Sequence, residues 1–116
     1  MTFHVVFILA AAAGAVVRYL ADFYLPRRGI LLVNIVGSCL AGLITGLVLT
    51  ARVDDMVAGI FVAVFAGSLT TYSTVALATA LHTAGQKRDK ALVIWFQHVG
   101  LSTAACVLGL WTSVYV

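Results

Sequence analysis

The chain contains no glutamate, and its four acids, Asp22, Asp54, Asp55 and Asp89, all fall in the short polar stretches between long apolar runs. A proton-coupled exporter made of four short helices needs a carboxylate inside the membrane, where it can exchange a proton for a cationic drug. The small multidrug exporters, which share this length, are therefore a distant alternative. Proline occurs once, at Pro26, and cysteine twice, at Cys39 and Cys106, both within apolar runs. Two cysteines so placed read as small packing residues, which excludes a disulfide framework. Charged residues make up 9% of the 116 positions, and the cations stand singly or in short loop clusters. That leaves no basic surface for nucleic acid. There is no Cys/His cluster for zinc, no nucleophile–base constellation and no phosphate loop, so an enzyme has nothing to work with. No signal peptide is evident either. The first apolar run continues to about Ala21, too long for a signal core and without a convincing cleavage site after it, and is expected to be a retained span.

What is present is apolar surface. Hydrophobic residues account for 63% of the chain, more than a soluble domain of this size can bury. Four runs, at about 3–21, 30–50, 56–81 and 91–115, each reach the roughly 20 residues an α-helix needs to cross the hydrocarbon core. Their continuity, without period-two alternation, favours helices over barrel strands. The expectation is an all-α membrane protein, with residues 1–116 forming one domain of four transmembrane helices. The loop charges predict its orientation. The side of the first and third loops holds Arg27, Arg28, Lys87, Arg88 and Lys90, whereas the side of the second loop and both termini holds only Arg52. The positive-inside rule then puts the N- and C-termini outside a multi-pass protein of the cell (inner or plasma) membrane. Span 2 carries Asn34, Ser38, Gly42 and Gly46 at every fourth residue, a row of small or polar groups that lets helices approach closely.

Within the third run lies Gly67-Ser68-Leu69-Thr70-Thr71-Tyr72-Ser73-Thr74, in which six of eight side chains bear hydroxyls and none a charge. One or two such residues bond back to a carbonyl one turn earlier and do nothing more. So many, opened by a glycine, predict a helix broken mid-membrane, tolerated where it is buried in protein or lines a cavity, with freed carbonyls able to hold a cation. Asn34 reads either as an interhelical hydrogen-bonding residue or as a donor facing an anion path. Arg18 reads as a snorkelling side chain or as part of a positive vestibule. His98 and Ser102, one turn apart in span 4, are structural or pore-lining, and Ser38 joins them as a pore-lining candidate. Trp95 and Trp111 lie near opposite ends of span 4 and suit interfacial anchors. A neutral, donor-rich interior with a cation near one mouth suits an anion.

Three motifs then resemble those of the Fluc (CrcB-like) fluoride channels, in order and over essentially the whole chain. Gly14-Ala15-Val16-Val17-Arg18-Tyr19 resembles the family's Gly-Ala-x-x-Arg-Tyr, Val33-Asn34-Ile35-Val36-Gly37-Ser38 its Val-Asn-x-x-Gly-Ser, and Gly67 to Thr74 its Gly-Gly-Leu-Thr-Thr-Phe-Ser-Thr. The resemblance implies passive fluoride export through an antiparallel, dual-topology-type dimer with two pathways. It implies a structural sodium ion held by the backbone carbonyls of Gly67 and Thr70, and a fluoride route past Asn34, Tyr72, Ser73 and Thr74 with Arg18 in the vestibule. Fluoride holds its water tightly, so a pore has to replace that water with N–H, O–H and electropositive ring-edge donors. The sequence departs from the motif at Ser68, where the family has a second glycine, and at Tyr72 and Val75, where it has two phenylalanines three residues apart. Val75 has no aromatic quadrupole. Together with the loop-charge bias, that implies a heterodimer with a homologous, oppositely oriented subunit as the alternative to a homodimer. In that arrangement this chain is a half-active or non-conducting structural subunit.

Overall fold

The structure, a computed structural model, describes residues 2–116, and at 61 and 63 the backbone only. It is all-helical, with four segments long and apolar enough to cross a membrane, Thr2–Tyr24, Gly29–Leu49, Val64–Ala84 and Arg88–Ser113. The first two are α1 (Thr2–Tyr24) and α2 (Gly29–Leu49). The loop between them is tight: Pro26 cannot continue a helix, Arg27 takes a positive φ of 82°, and α2 begins at Gly29. The third segment is composite. α3 (Asp55–Ala58) is capped by Asp54, whose carboxylate accepts the Met56 N–H at 2.8 Å. It runs into a π-helical stretch, Gly59–Ala66, and then one turn, α4 (Gly67–Leu69). The chain leaves helical geometry at Thr70 (φ −79°, ψ 152°) and re-enters it as α5 (Ser73–Ala84). α6 (Arg88–Ser113) closes the bundle. Its 26 residues extend ~39 Å at the usual helical rise.

α2 and α6 form the tightest pair, and the fourfold row of span 2 explains why. A Cβ on Gly42 would collide with the Cys106 carbonyl, one on Gly46 with the Ser113 hydroxyl, and one on Gly109 with the Cys39 carbonyl. Glycine on both helices lets the backbones touch, which is how helices gain van der Waals contact where lipid removes the hydrophobic driving force. Asn34, Ser38, Gly42 and Gly46 thus form the stripe facing α6. Gly14 does the same for α1, where a Cβ would strike the Ser68 hydroxyl and the Phe65 carbonyl. The buried core is thin and lies around the break: Val33, Val64, Ala66, Leu69 and Val75 are all buried. Most large apolar side chains of α1 and α6 face outward, as lipid-facing residues do.

Candidate functional site

The break in the third segment is made by an asparagine from its neighbour. Asn34, buried on α2, accepts the Thr71 N–H on its Oδ1 at 2.7 Å and donates from Nδ2 to the Thr71 carbonyl at 3.0 Å. In an unbroken helix the Thr71 N–H would bond the Gly67 carbonyl four residues back. With that N–H taken by Asn34, no backbone N–H among the described residues reaches the carbonyl of Gly67, nor that of Thr70. Thr70 itself turns its hydroxyl back onto the Ala66 carbonyl at 3.0 Å. On the other side of the break, the first N–H groups of α5, at Ser73, Thr74 and Val75, also lack backbone acceptors among the described residues, as at any helix start. The interruption therefore sets a carbonyl-rich end against an N–H-rich end a few residues apart.

These groups surround an open cavity of about 500 Å³ between the broken segment, α2 and α6. Gly67, Thr70, Thr71 and Tyr72 line it from the break, Asn34 and Ser38 from α2, and His98, Ser102 and Cys106 from α6. The α6 set recurs every fourth residue, so it forms one stripe. The Ser102 hydroxyl is buried and has no hydrogen-bond partner among the described residues. Asn34 Nδ2 also lies 3.3 Å from His98 Nδ1. Tyr72 stands at the cavity edge with 62% of its surface exposed, while Val75 is 2% exposed.

A second cavity, of about 510 Å³, opens beside the first loop and the α5–α6 pair. It is lined by Asp22 and Arg27 from the first hairpin, Thr74 and His82 from α5, and Gln97 from α6. Val75 and His98 line both cavities and so form the wall between them.

The structure thus gathers Asn34, Ser38, Gly67, Thr70, Tyr72, His98 and Ser102 around the first cavity and puts Thr74 in the second. Ser73 is exposed at the start of α5, its hydroxyl 3.1 Å from that of Thr71. Arg18, half-buried on α1, lines neither cavity. Sequence reasoning did not single out Gln97, Arg27 and His82 as site residues. Their polarity was visible, but only the packing of the first hairpin, α5 and α6 around one cavity brings them together.

Fold and site together define a multi-pass helical membrane protein with a polar, uncharged cavity at a helix interruption. The chain belongs to the CrcB-like family, described as CrcB-like protein, Camphor Resistance (CrcB), whose model matches residues 5–110. Among curated relatives it is similar to a protein of Symbiobacterium thermophilum named fluoride-specific ion channel FluC 1, at 36% identity over 91% of this chain and 90% of the relative. It is likewise similar to a protein of a Synechococcus species named fluoride-specific ion channel FluC 2, at 36% identity over 89% of this chain and 73% of the relative.

Proposed function

We propose that this chain is a subunit of a fluoride-selective channel that lets fluoride leave the cell passively and so lowers its cytoplasmic concentration. The observation that carries the proposal is the first cavity. It is uncharged and donor-rich, and it holds a buried Ser102 hydroxyl with no protein partner, a group left to bind something that is not protein. The names of the two relatives point to fluoride as the occupant. The route would pass Tyr72 and Asn34 and the start of α5, where Ser73, Thr74 and the free N–H groups favour an anion. Arg18 would act at long range by attracting anions to the vestibule.

The break would lie at mid-membrane, where only a cavity or buried protein tolerates it. The carbonyls of Gly67 and Thr70 suit sodium, since both have lost their helical N–H partners and hard cations prefer oxygen ligands. Two carbonyls are too few for a complete shell. The same pair from an antiparallel second subunit would complete it, and the exposure of Gly67 and Tyr72 supports a partner there. Bound sodium would neutralise the carbonyl dipoles and tie the two breaks together.

A second reading keeps the fold and changes the assembly. Val75 is aliphatic and packed in the core, and valine has no ring, so this chain offers no second ring edge at that position. The five-to-one loop-charge bias predicts a single orientation, with both termini extracytoplasmic. Both features favour pairing with a homologous subunit of opposite orientation, in which this chain conducts through one pathway or none. Deletion tests the function: cells lacking the protein should become hypersensitive to fluoride while resistance to cationic dyes stays unchanged. Altered dye resistance with normal fluoride tolerance would point to an exporter instead.

A further inference from the structure

Asn34 fixes the state of a second residue, His98. The orientation of the Asn34 amide is set by the Thr71 backbone. Its oxygen has to face the Thr71 N–H, 2.7 Å away, and its nitrogen the Thr71 carbonyl, 3.0 Å away. Flipping the amide would set donor against donor and acceptor against acceptor. An amide nitrogen only donates, and its remaining hydrogen is directed at His98 Nδ1, 3.3 Å away. Nδ1 must therefore accept, and the ring proton of the neutral imidazole must sit on Nε2. Nε2 has no hydrogen bond to any described residue. The ring itself stands in the wall shared by the two cavities, to which Val75 also contributes.

We propose that His98, held as the Nε2–H tautomer by the chain Thr71–Asn34–His98, is the donor that an anion meets when it crosses between the two cavities. This rests on the channel reading above and adds a specificity-determining residue to it. A neutral imidazole locked in one tautomer offers an N–H and no competing lone pair on that side. It would help to replace the water that a small, strongly hydrated anion gives up, without holding the ion as a cationic side chain would. The arrangement also gives Asn34 a role beyond contact with the ion, because it transmits the geometry of the break to α6.

The test has two arms. The first is nitrogen NMR of selectively histidine-labelled protein in lipid. His98 Nδ1 should resonate in the unprotonated, pyridine-type range and Nε2 in the protonated, pyrrole-type range, and Asn34→Ala should convert this into a mixture of tautomers. An Nδ1–H tautomer in the unsubstituted protein, or a tautomer indifferent to Asn34→Ala, would overturn the proposal whether or not the protein conducts. The second arm is fluoride efflux from liposomes, with the subunit partner present if one is required. His98→Leu should lower flux about tenfold, the effect of one well-placed hydrogen bond. His98→Gln, which supplies both an acceptor and a donor, should restore most of it. Equal flux in the unsubstituted and Leu proteins would overturn the donor role while leaving the channel reading intact. Absence of flux from the unsubstituted protein would instead remove that reading, with the tautomer still decided by the first arm. If His98→Leu fails to fold, the Gln protein and the NMR arm carry the decision.

Discussion

Replacing Asn34 by leucine, a side chain with the same branching and number of heavy atoms, tests whether this residue opens the third helix. The substitution removes both hydrogen bonds to the Thr71 backbone, at 2.7 and 3.0 Å, and the contact with His98 at 3.3 Å. Each buried backbone group left without a partner costs about 1–3 kcal/mol. If nothing else moved, the loss would be about 2–6 kcal/mol. The backbone has a partial remedy, because the Thr71 N–H can return to the Gly67 carbonyl and close that turn. The expected net loss is then about 1–3 kcal/mol, still above the ~0.6 kcal/mol typical of a polar pair between membrane helices. The remedy has a consequence, since it withdraws the Gly67 carbonyl from the cation site. Two measurements follow the change: reversible unfolding in mixed micelles, and amide exchange at Thr71 with its dependence on sodium. Asn34→Leu should be less stable and should respond less to sodium. A stability change below about 0.5 kcal/mol, with Thr71 exchange and its sodium response unaltered, would refute the claim that Asn34 makes the break.

Other expectations follow from the same geometry. Ser102→Ala should leave thermal stability nearly unchanged, because the hydroxyl has no protein partner, yet reduce fluoride efflux about tenfold as a donor is lost. Gly42→Val should destabilise the protein by about 1–3 kcal/mol or more, since any Cβ there meets the Cys106 carbonyl. Gly100→Ala, where a Cβ meets nothing within 4 Å, is the matched control, and melting in detergent compares the two. Exhaustive exchange of sodium for a large organic cation should lower the melting temperature, and restoring sodium to a hundredfold excess over its dissociation constant should recover about 2.7 kcal/mol. An absence of any sodium effect would count against the carbonyl site. Expressed alone, the chain should show weak fluoride efflux if it is half of a heterodimer and strong efflux if it pairs with itself.

The four spans are legible because their signal is local: a run of about 20 apolar residues is visible without knowing its neighbours. The stripe Asn34, Ser38, Gly42 and Gly46 is legible as a face, and the close approach of α6 to Gly42 and Gly46 gives that face its partner. Composition also marks Gly67 to Thr74 as unusual. It does not say which residue leaves the helix, because Thr70 and Thr71 differ only in what the neighbouring helix offers them, and it is Thr71 that meets Asn34. The π-helical stretch Gly59–Ala66 is hidden too, since π turns are rare and arise inside otherwise α-helical runs. The pairing of Asn34 with His98 spans 64 positions, and spacing alone can only put each residue on some face of its own helix. Tyr72 and Val75 show both sides of this. The sequence marks each as a departure from a motif, but only the structure separates them, with Tyr72 facing outward and Val75 in the core.

Fluoride selectivity is tested most directly by anion efflux from liposomes containing the purified chain, alone and together with a homologous subunit of opposite orientation. Fluoride and chloride gradients should be followed with ion-selective electrodes. A fluoride-selective channel should give rapid fluoride efflux in at least one of the two preparations, with chloride retained. Equal release of both ions, or fluoride retained in both preparations, would contradict that function.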